Sequence, residues 1–245
     1  PNMDRLWVGS SYERRRFLDR LVMNFVPDHP KDCLTYDRAL RQRNQLFKDN
    51  QNDNAWFLAV ERQLAENGYR IDLNRRKVID LLLKTQKEKT DPSFFPYLEA
   101  SLTAESFSNS EEFLEVLVKN RGKDKSSGRT LIGPHKSDLM VRHSAKDIEA
   151  KYCSTGEQKS LLLSLFIANA LTISSHFDQS PIILLDEILA HLDQKNLENL
   201  FYELELIKAQ IFATGTEQNS FQNWNLESQS FNLRLTDEGI RCFPS

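Results

Sequence analysis

The chain has 245 residues, of which 40% are hydrophobic and 27% charged, and its formal net charge is −3 at pH 7. This composition supports a folded core, and because the chain is not a polycation, any contact with nucleic acid must come from a local basic patch. No apolar run approaches the ~20 residues that span a bilayer, and no cationic and apolar leader opens the sequence, so we expect a cytoplasmic protein with no membrane partner.

Residues 1–90 are predicted to form a helical arm of long, antiparallel helices. Apolar side chains recur there at helical spacing, with Trp56, Val60 and Leu64 as one stripe, and charged residues fill the positions between them. The pair Asn67-Gly68 predicts a break between two helices of this arm.

Residues 91–130 are predicted to return from the arm to a second domain. Pro92 and Pro96 favour an extended segment. A run rich in Gly, Ser, Lys and Arg follows, and it indicates an exposed basic loop. The cations of this loop are Lys119, Arg121, Lys123, Lys125 and Arg129.

Residues 131–245 alternate between helical patterns and apolar strands. The predicted elements are a strand over 138–141, a helix over 155–176, a strand over 182–185, a helix over 194–206, a strand over 210–213 and a closing β-hairpin over 231–243. The run 182–185 is continuously apolar, as in a strand that is buried on both faces. This alternation predicts the α/β class with a mostly parallel sheet.

The segment Ser154-Thr155-Gly156-Glu157-Gln158 is a turn that leads directly into the long helix. Free backbone N–H groups and the helix dipole favour an anion at this end, Gly156 permits close approach, and the Ser154 hydroxyl can donate to a phosphate oxygen. An ordinary N-cap explains the same residues, with Ser154 or Thr155 capping and Glu157 or Gln158 completing a capping box. The segment alone leaves both interpretations open.

Asp186 and Glu187 end the apolar strand, at the edge where parallel sheets bind ligands. Asp186 would hold Mg²⁺, and Glu187 would polarise an attacking water. The alternative is a strand that ends in two solvated acids. Ser154 precedes Asp186 by 32 positions (186 − 154), so one helix of about 20 residues fits between them.

In this order the segments resemble an ABC-type ATPase, with a signature motif at Ser154 to Gln158, a Walker B strand at Asp186-Glu187 and a D-loop at Asp193. The signature motif has no second consecutive Gly, and it is more similar to SMC-like DNA-repair proteins than to transporters. Further segments occur in matching order and cover nearly the whole chain. They resemble the RecF family at Arg16 to Arg20, Tyr36 to Asn44, Gly133-Pro134-His135-Lys136-Ser137-Asp138-Leu139 and Thr214-Gly215-Thr216.

The resemblance implies the C-terminal half of an ABC/SMC-like ATPase head, of the P-loop NTPase type, with an inserted helical arm. It implies a DNA-binding repair ATPase that uses ATP and Mg²⁺ and acts with RecR and RecO at gapped or single-strand/double-strand DNA to place RecA. It also implies an ATP-dependent homodimer. Ser154, Gly156 and Gln158 would then contact the γ-phosphate in trans, Asp186 and Glu187 would act in cis, and Asp193 would communicate across the dimer interface.

The sequence departs from such ATPases because it contains no Walker A loop: only Gly122 precedes a Lys, and Asp124 stands where Ser or Thr is needed. In the RecF family that loop lies in an N-terminal segment. We therefore expect the chain to begin after it and to hydrolyse little ATP alone. The resemblance leaves the γ-phosphate sensor near Thr214-Gly215-Thr216 unassigned.

Contact with DNA needs cationic donors, and the basic loop and the arm both supply them. The arm candidates are Arg14, Arg15, Arg41 and Arg43. Acidic residues are interspersed, so a solvated face held by ion pairs is the alternative. Two other functions stay open: a nucleotide-binding module of a transporter, and a degenerate, non-catalytic module that binds protein through the arm.

Overall fold

The computed structural model describes residues 6–186, 192–215, 229, 231–236 and 239–244. The chain divides into two compact units, residues 1–179 and residues 180–245. The helices of the first unit are α1 (Ser11–Met23), α2 (His29–Lys48), α3 (Asn54–Lys89), α4 (Ser110–Lys119), α5 (Arg121–Ser127) and α6 (Thr155–Phe177). Its strands are β1 (Leu98–Leu102), β2 (Leu139–His143) and β3 (Ile148–Glu149), and they form one antiparallel sheet in the order β1-β2-β3.

Helices α2 and α3 lie side by side in opposite directions. Asp32 pairs with Arg70 near the start of α2, and Arg43 pairs with Glu61 near its end, so partners on the two helices run in opposite sequence order. The sequence pattern of the arm predicts this arrangement of long amphipathic helices.

The predicted break at Asn67-Gly68 is wrong, because α3 continues through it from Asn54 to Lys89. A Cβ at Gly68 would lie 2.6 Å from a ring carbon of Phe113 and 2.8 Å from one of Tyr36. Glycine therefore allows two aromatic rings to pack directly on the helix backbone, and it does not end the helix.

Among the described residues, two hydrophobic clusters stabilise the first unit, and α3 contributes to both. One lies among α1, α3, the antiparallel sheet and α6, and its buried members include Leu18, Leu82, Leu98, Val141 and Leu161. The other fills the arm between α2, α3 and α4, and its buried members include Tyr36, Leu46, Leu64, Phe113 and Leu117. Burial of each large apolar side chain stabilises the fold by roughly 1.5–3 kcal/mol.

Helix α6 packs in the first of these clusters, so the residues 131–179 share one compact unit with the arm. The helix is also long and apolar enough, by length and composition, to cross a membrane, which the sequence pattern did not predict. However, 61% of its most apolar 18-residue window is buried inside the protein. Its apolarity is therefore explained by its place in the core.

The second unit contains β4 (Ile182–Asp186), α7 (Gln194–Ile207) and β5 (Gln210–Thr214), and β4 and β5 pair in parallel as predicted. The chain ends in an antiparallel hairpin of β6 (Phe231–Thr236) and β7 (Gly239–Pro244). Strand β4 is buried on one face only, contrary to prediction: Ile183 and Leu185 are buried, whereas Ile182 is 66% and Leu184 is 72% exposed. Among the described residues, only one face of this strand is covered.

Candidate functional site

The signature segment forms the exposed N-terminal tip of α6. Ser154 caps the helix: its hydroxyl oxygen accepts from the Glu157 N–H at 3.4 Å, and its own N–H donates to Glu157 Oε2 at 2.8 Å. The capping box is therefore present. Ser154, Thr155 and Gly156 are nevertheless exposed, and a Cβ at Gly156 would meet no heavy atom within 4 Å. The first-turn N–H groups thus remain open to an approaching anion.

Gln158 faces inward, which corrects its predicted place among the phosphate contacts. The side chain is buried, and its amide nitrogen donates to the Cys153 carbonyl at 2.9 Å. The backbone carbonyl of Gln158 accepts from the Trp7 indole N–H at 3.0 Å. These bonds fix the first turn of α6 to the core, and they leave Gln158 no reach toward the exposed tip.

Lys146 forms an ion pair with Glu157, and the motif pattern did not single it out. It lies in the turn between β2 and β3, 11 residues before Glu157, and it contacts Glu157 Oε1. This ammonium group and the N–H and hydroxyl of Ser154 lower the pKa of Glu157 to about 2. The carboxylate at the helix tip is therefore ionised at any physiological pH.

The carboxyl end of β4 carries the Walker B candidate. Asp186 is exposed and pairs with Thr214 in the parallel register, and the Thr214 hydroxyl donates to Asp186 Oδ1 at 2.5 Å. No motif in the sequence identified Thr214 as this partner, although both residues end successive parallel strands, where side chains converge. Glu187 lies outside the described residues.

Asp193 acts locally as the N-cap of α7. Its carboxylate accepts from the Asn196 N–H at 2.8 Å and from the Asn196 side-chain amide at 3.0 Å. The carboxylate is exposed, so the cap leaves it accessible. A role between two copies of the chain remains a prediction.

Two predicted DNA contacts, Arg43 and Arg121, pair with acidic side chains of the arm instead. Arg43 is fully buried, and it donates to Glu61 at 2.9 Å, to Asp124 at 2.6 Å and to the Leu117 carbonyl at 2.9 Å. Arg121 binds the same Glu61 carboxylate, with the shorter contact at 2.5 Å. The predicted basic loop is in part the short helix α5, held by these ion pairs, so we withdraw Arg43 and Arg121 as DNA contacts.

Arg14 is also committed within the protein. It forms two bonds with the carboxylate of Asp138, at 2.7 and 2.8 Å, and its third nitrogen donates to backbone carbonyls at the start of the chain. Among the described residues, Arg15 donates only to the Ser137 carbonyl, at 2.7 Å. We therefore withdraw Arg14 and retain Arg15 as a candidate.

The remaining candidate cations are exposed on the surface of the first unit. None of them forms an ion pair with a residue that the structure describes. They are Arg41, Lys119, Lys123, Lys125 and Arg129.

His135 is a half-buried residue that two hydrogen bonds hold in place. The Tyr36 hydroxyl donates to its Nδ1 at 2.7 Å, and its Nε2–H donates to the Thr130 carbonyl at 3.1 Å, because a carbonyl can only accept. Burial lowers the pKa of His135 to about 4, so the ring is neutral.

Asp19, His29 and Cys33 offer possible metal-ligand atoms that lie within 4.8 Å of one another. Their surroundings do not fit a metal. Both Asp19 oxygens accept from Arg75, at 2.8 and 2.9 Å, and burial raises the pKa of Cys33 to about 12, so its thiol stays protonated. Together with Arg75, these three side chains form a hydrogen-bonded contact between α1, α2 and α3.

No protein-family model matches the chain. The "DNA replication and repair protein RecF" of Rhizobium meliloti (strain 1021) is 41% identical over 229 residues, which cover 90% of this chain and 61% of that protein. The protein of the same name from Rhizobium etli (strain CIAT 652) is 38% identical over 241 residues, which cover 95% of this chain and 64% of that protein.

A solved structure described as the recombination mediator protein RecF-ATP in the RecFOR pathway matches the fold with a TM-score of 0.79. The two are 20% identical, and the match covers 99% of this chain and 66% of that one. This confirms the predicted α/β fold with its helical arm. The chain spans 61–64% of the length of these curated relatives, and over that span it belongs to the RecF family.

Proposed function

We propose that the chain is part of an ATP-dependent, DNA-binding repair ATPase of the RecF type. Two copies would close on ATP, and the protein would act with RecR and RecO at gapped DNA to promote RecA loading. Membership of the RecF family supports this proposal, as does the exposed tip of α6. That accessible tip carries the proposal, because a signature motif buried in its own protomer could not serve a second copy.

The residues of the tip would bind the γ-phosphate held by the partner copy. The Ser154 hydroxyl and the free N–H groups of the first turn are donors, and the helix dipole favours the negative charge. Gly156 has open space on its Cβ side, so a phosphate can approach the backbone closely. Phosphoryl transfer needs chiefly this kind of positioning and charge neutralisation.

The end of β4 would hold Mg²⁺ on the copy that binds the triphosphate. Asp186 and Thr214 supply oxygen atoms, which this ion prefers, and the Thr214 bond to Oδ1 would orient the carboxylate. The ion, when bound, would neutralise phosphate charge. Glu187, the next residue in sequence, would polarise the attacking water, and Asp193 would lie at the boundary between the copies.

The DNA contact would use the candidate cations that form no ion pair with any residue that the structure describes. Lys119, Lys123, Lys125 and Arg129 cluster within eleven positions of the sequence around α5, and Arg41 and Arg15 lie on α2 and α1. Replacing the four clustered cations with Gln should weaken DNA binding and reduce the slope of log K against log[salt] by about three to four. An unchanged slope would place the contact elsewhere.

The proposal is tested in a full-length chimera, in which this chain replaces the 229 matched residues of the Rhizobium meliloti relative. Glu187→Gln should trap an ATP-dependent dimer on gapped DNA in sedimentation experiments, and Ser154→Ala should abolish it. The matched control is Ser10→Ala, because Ser10 closes the same capping box with Glu13 on α1. The 245-residue chain alone should show no Mg²⁺-dependent ATPase activity.

Two outcomes would contradict the proposal. Robust ATP hydrolysis by the 245-residue chain would mean that its nucleotide site is complete without the remaining length of its relatives. Equal ATP-dependent dimerisation by the Ser154→Ala and Ser10→Ala chimeras would mean that the tip of α6 does not bind the nucleotide, as expected of a non-catalytic interaction module.

A further inference from the structure

The signature tip holds a carboxylate where a phosphate would have to bind. Glu157 Oε2 accepts from the Ser154 N–H at 2.8 Å and from the Ser154 hydroxyl at 2.9 Å. A hydroxyl has one proton, so Ser154 cannot donate to this carboxylate and to a phosphate oxygen at the same time. A phosphate bonded to Ser154 would also lie within about 6 Å of the Glu157 charge, since each hydrogen bond spans about 2.8 Å.

The same capping box occurs on α1 without a lysine. There the Ser10 N–H donates to Glu13 Oε2 at 3.0 Å, and the Glu13 N–H donates to Ser10 Oγ at 3.3 Å. Among the described residues, no cation forms an ion pair with Glu13. The box therefore closes without a lysine, and capping does not explain why Lys146 contacts Glu157.

Lys146 holds the carboxylate oxygen that the cap leaves free. It contacts Oε1, whereas both bonds from Ser154 go to Oε2. Lys146 is 52% exposed, so this pair adds little to stability, as is usual for surface ion pairs. Its main effect is to place a positive charge against the one acidic side chain of the signature segment.

We propose that Lys146 is a positioning residue of the phosphate site: it neutralises Glu157 and holds the carboxylate through Oε1 when a phosphate oxygen takes the Ser154 proton. The inference rests on the proposed function of the tip. Without Lys146, the phosphate would meet an unpaired negative charge, and Ser154 would stay bonded to Glu157. With Gln at position 157 no charge remains, so Lys146 would no longer matter.

The test is a double-mutant cycle in the full-length chimera, measured as the dissociation constant of the ATP-dependent dimer. Lys146→Met should weaken the dimer about three- to tenfold, which is the effect of one unit charge at ~6 Å in a largely aqueous setting. The same change in the Glu157→Gln background should cost nothing more. Lys151→Met is the matched control, because Lys151 is an exposed lysine in an ion pair with Glu149 close to the same tip.

The outcomes separate this inference from the proposed function. If Ser154→Ala weakens the dimer but Lys146→Met does not, the inference fails and the proposed function stands. If Lys151→Met weakens the dimer as much as Lys146→Met, or the loss persists with Gln at 157, general positive potential is responsible and the inference is overturned. If Ser154→Ala has no effect, the proposed function itself fails.

A second measurement uses the 245-residue chain. In a carboxyl ¹³C titration, Lys146→Met should raise the pKa of Glu157 from about 2 toward its ordinary value, because Lys146 is the largest cause of the shift. The thermal midpoint should stay unchanged, as expected from the lysine-free box on α1. An unchanged pKa, or a large loss of stability, would overturn the assigned role of Lys146.

Discussion

Gly156 is the second residue of α6, and alanine at this position should separate folding from function. A Cβ there would meet no heavy atom within 4 Å, so the folded chain accommodates it without strain. Because alanine restricts the unfolded chain more than glycine does, Gly156→Ala should raise the free energy of unfolding by about 0.4–1 kcal/mol. The added methyl group would, however, occupy the side from which a phosphate approaches the first-turn N–H groups.

The expected result is a chain that is more stable and a chimera that is less active. Displacing a bound phosphate by about 1 Å costs up to about a hundredfold in rate, so the ATPase activity of the full-length chimera should fall ten- to hundredfold. Gly122→Ala is the matched control, because Gly122 is the second residue of α5 and a Cβ there also meets nothing within 4 Å.

Urea unfolding of the 245-residue chain and ATP turnover by the chimera are the two assays. Both variants should gain similar stability, and only Gly156→Ala should lose turnover. Full turnover by Gly156→Ala would refute the idea that a ligand approaches this backbone. A loss of stability would refute the open geometry of the tip.

Three further predictions concern the first unit and use urea unfolding of the 245-residue chain. Gly68→Ala should destabilise it by about 1–3 kcal/mol, because the new Cβ would overlap two aromatic rings that cannot move away freely; an unchanged midpoint would contradict this packing. Arg43→Met should cost about 3–5 kcal/mol, because it leaves the buried Asp124 carboxylate without its cation, whereas Glu61 keeps Arg121. Exposed Arg41→Met should change stability by no more than about 0.5 kcal/mol, and equal effects of the two changes would contradict the burial of Arg43. Since the folded pKa of His135 is about 4 and its unfolded pKa is higher, the unfolded chain binds more protons between these values. Stability should therefore fall by about 2 kcal/mol from pH 7 to pH 5, and a His135→Gln chain that loses as much would show that another group is responsible.

Local patterns predicted the elements that carry the candidate site. Helix α6, strand β4 and strand β5 were predicted to within two residues at either end, because each is a strongly apolar segment with a distinct start or stop. The signature segment and the Walker B strand can be recognised from their order in the sequence, without knowledge of any tertiary contact. This order predicted the family that the comparisons confirm.

The sequence could not predict which side chains contact each other in the folded chain. Arg43 and Arg121 have the same residue types as a DNA-binding run, and only the fold brings Glu61 against both of them. The pattern at Asn67-Gly68 is typical of a turn, but packing against rings from two other helices overrides it. Lys146 lies 11 residues before its partner, on a turn whose direction depends on the sheet.

The central claim is that the tip of α6 and the end of β4 serve one nucleotide from two different copies. Mixing two inactive full-length chimeras, Ser154→Ala and Asp186→Ala, tests it most directly. If the site is shared in trans, half of the randomly mixed dimers contain one intact site of two, and about a quarter of the parental ATPase rate should return. A mixture that stays as inactive as either variant alone would contradict the claim.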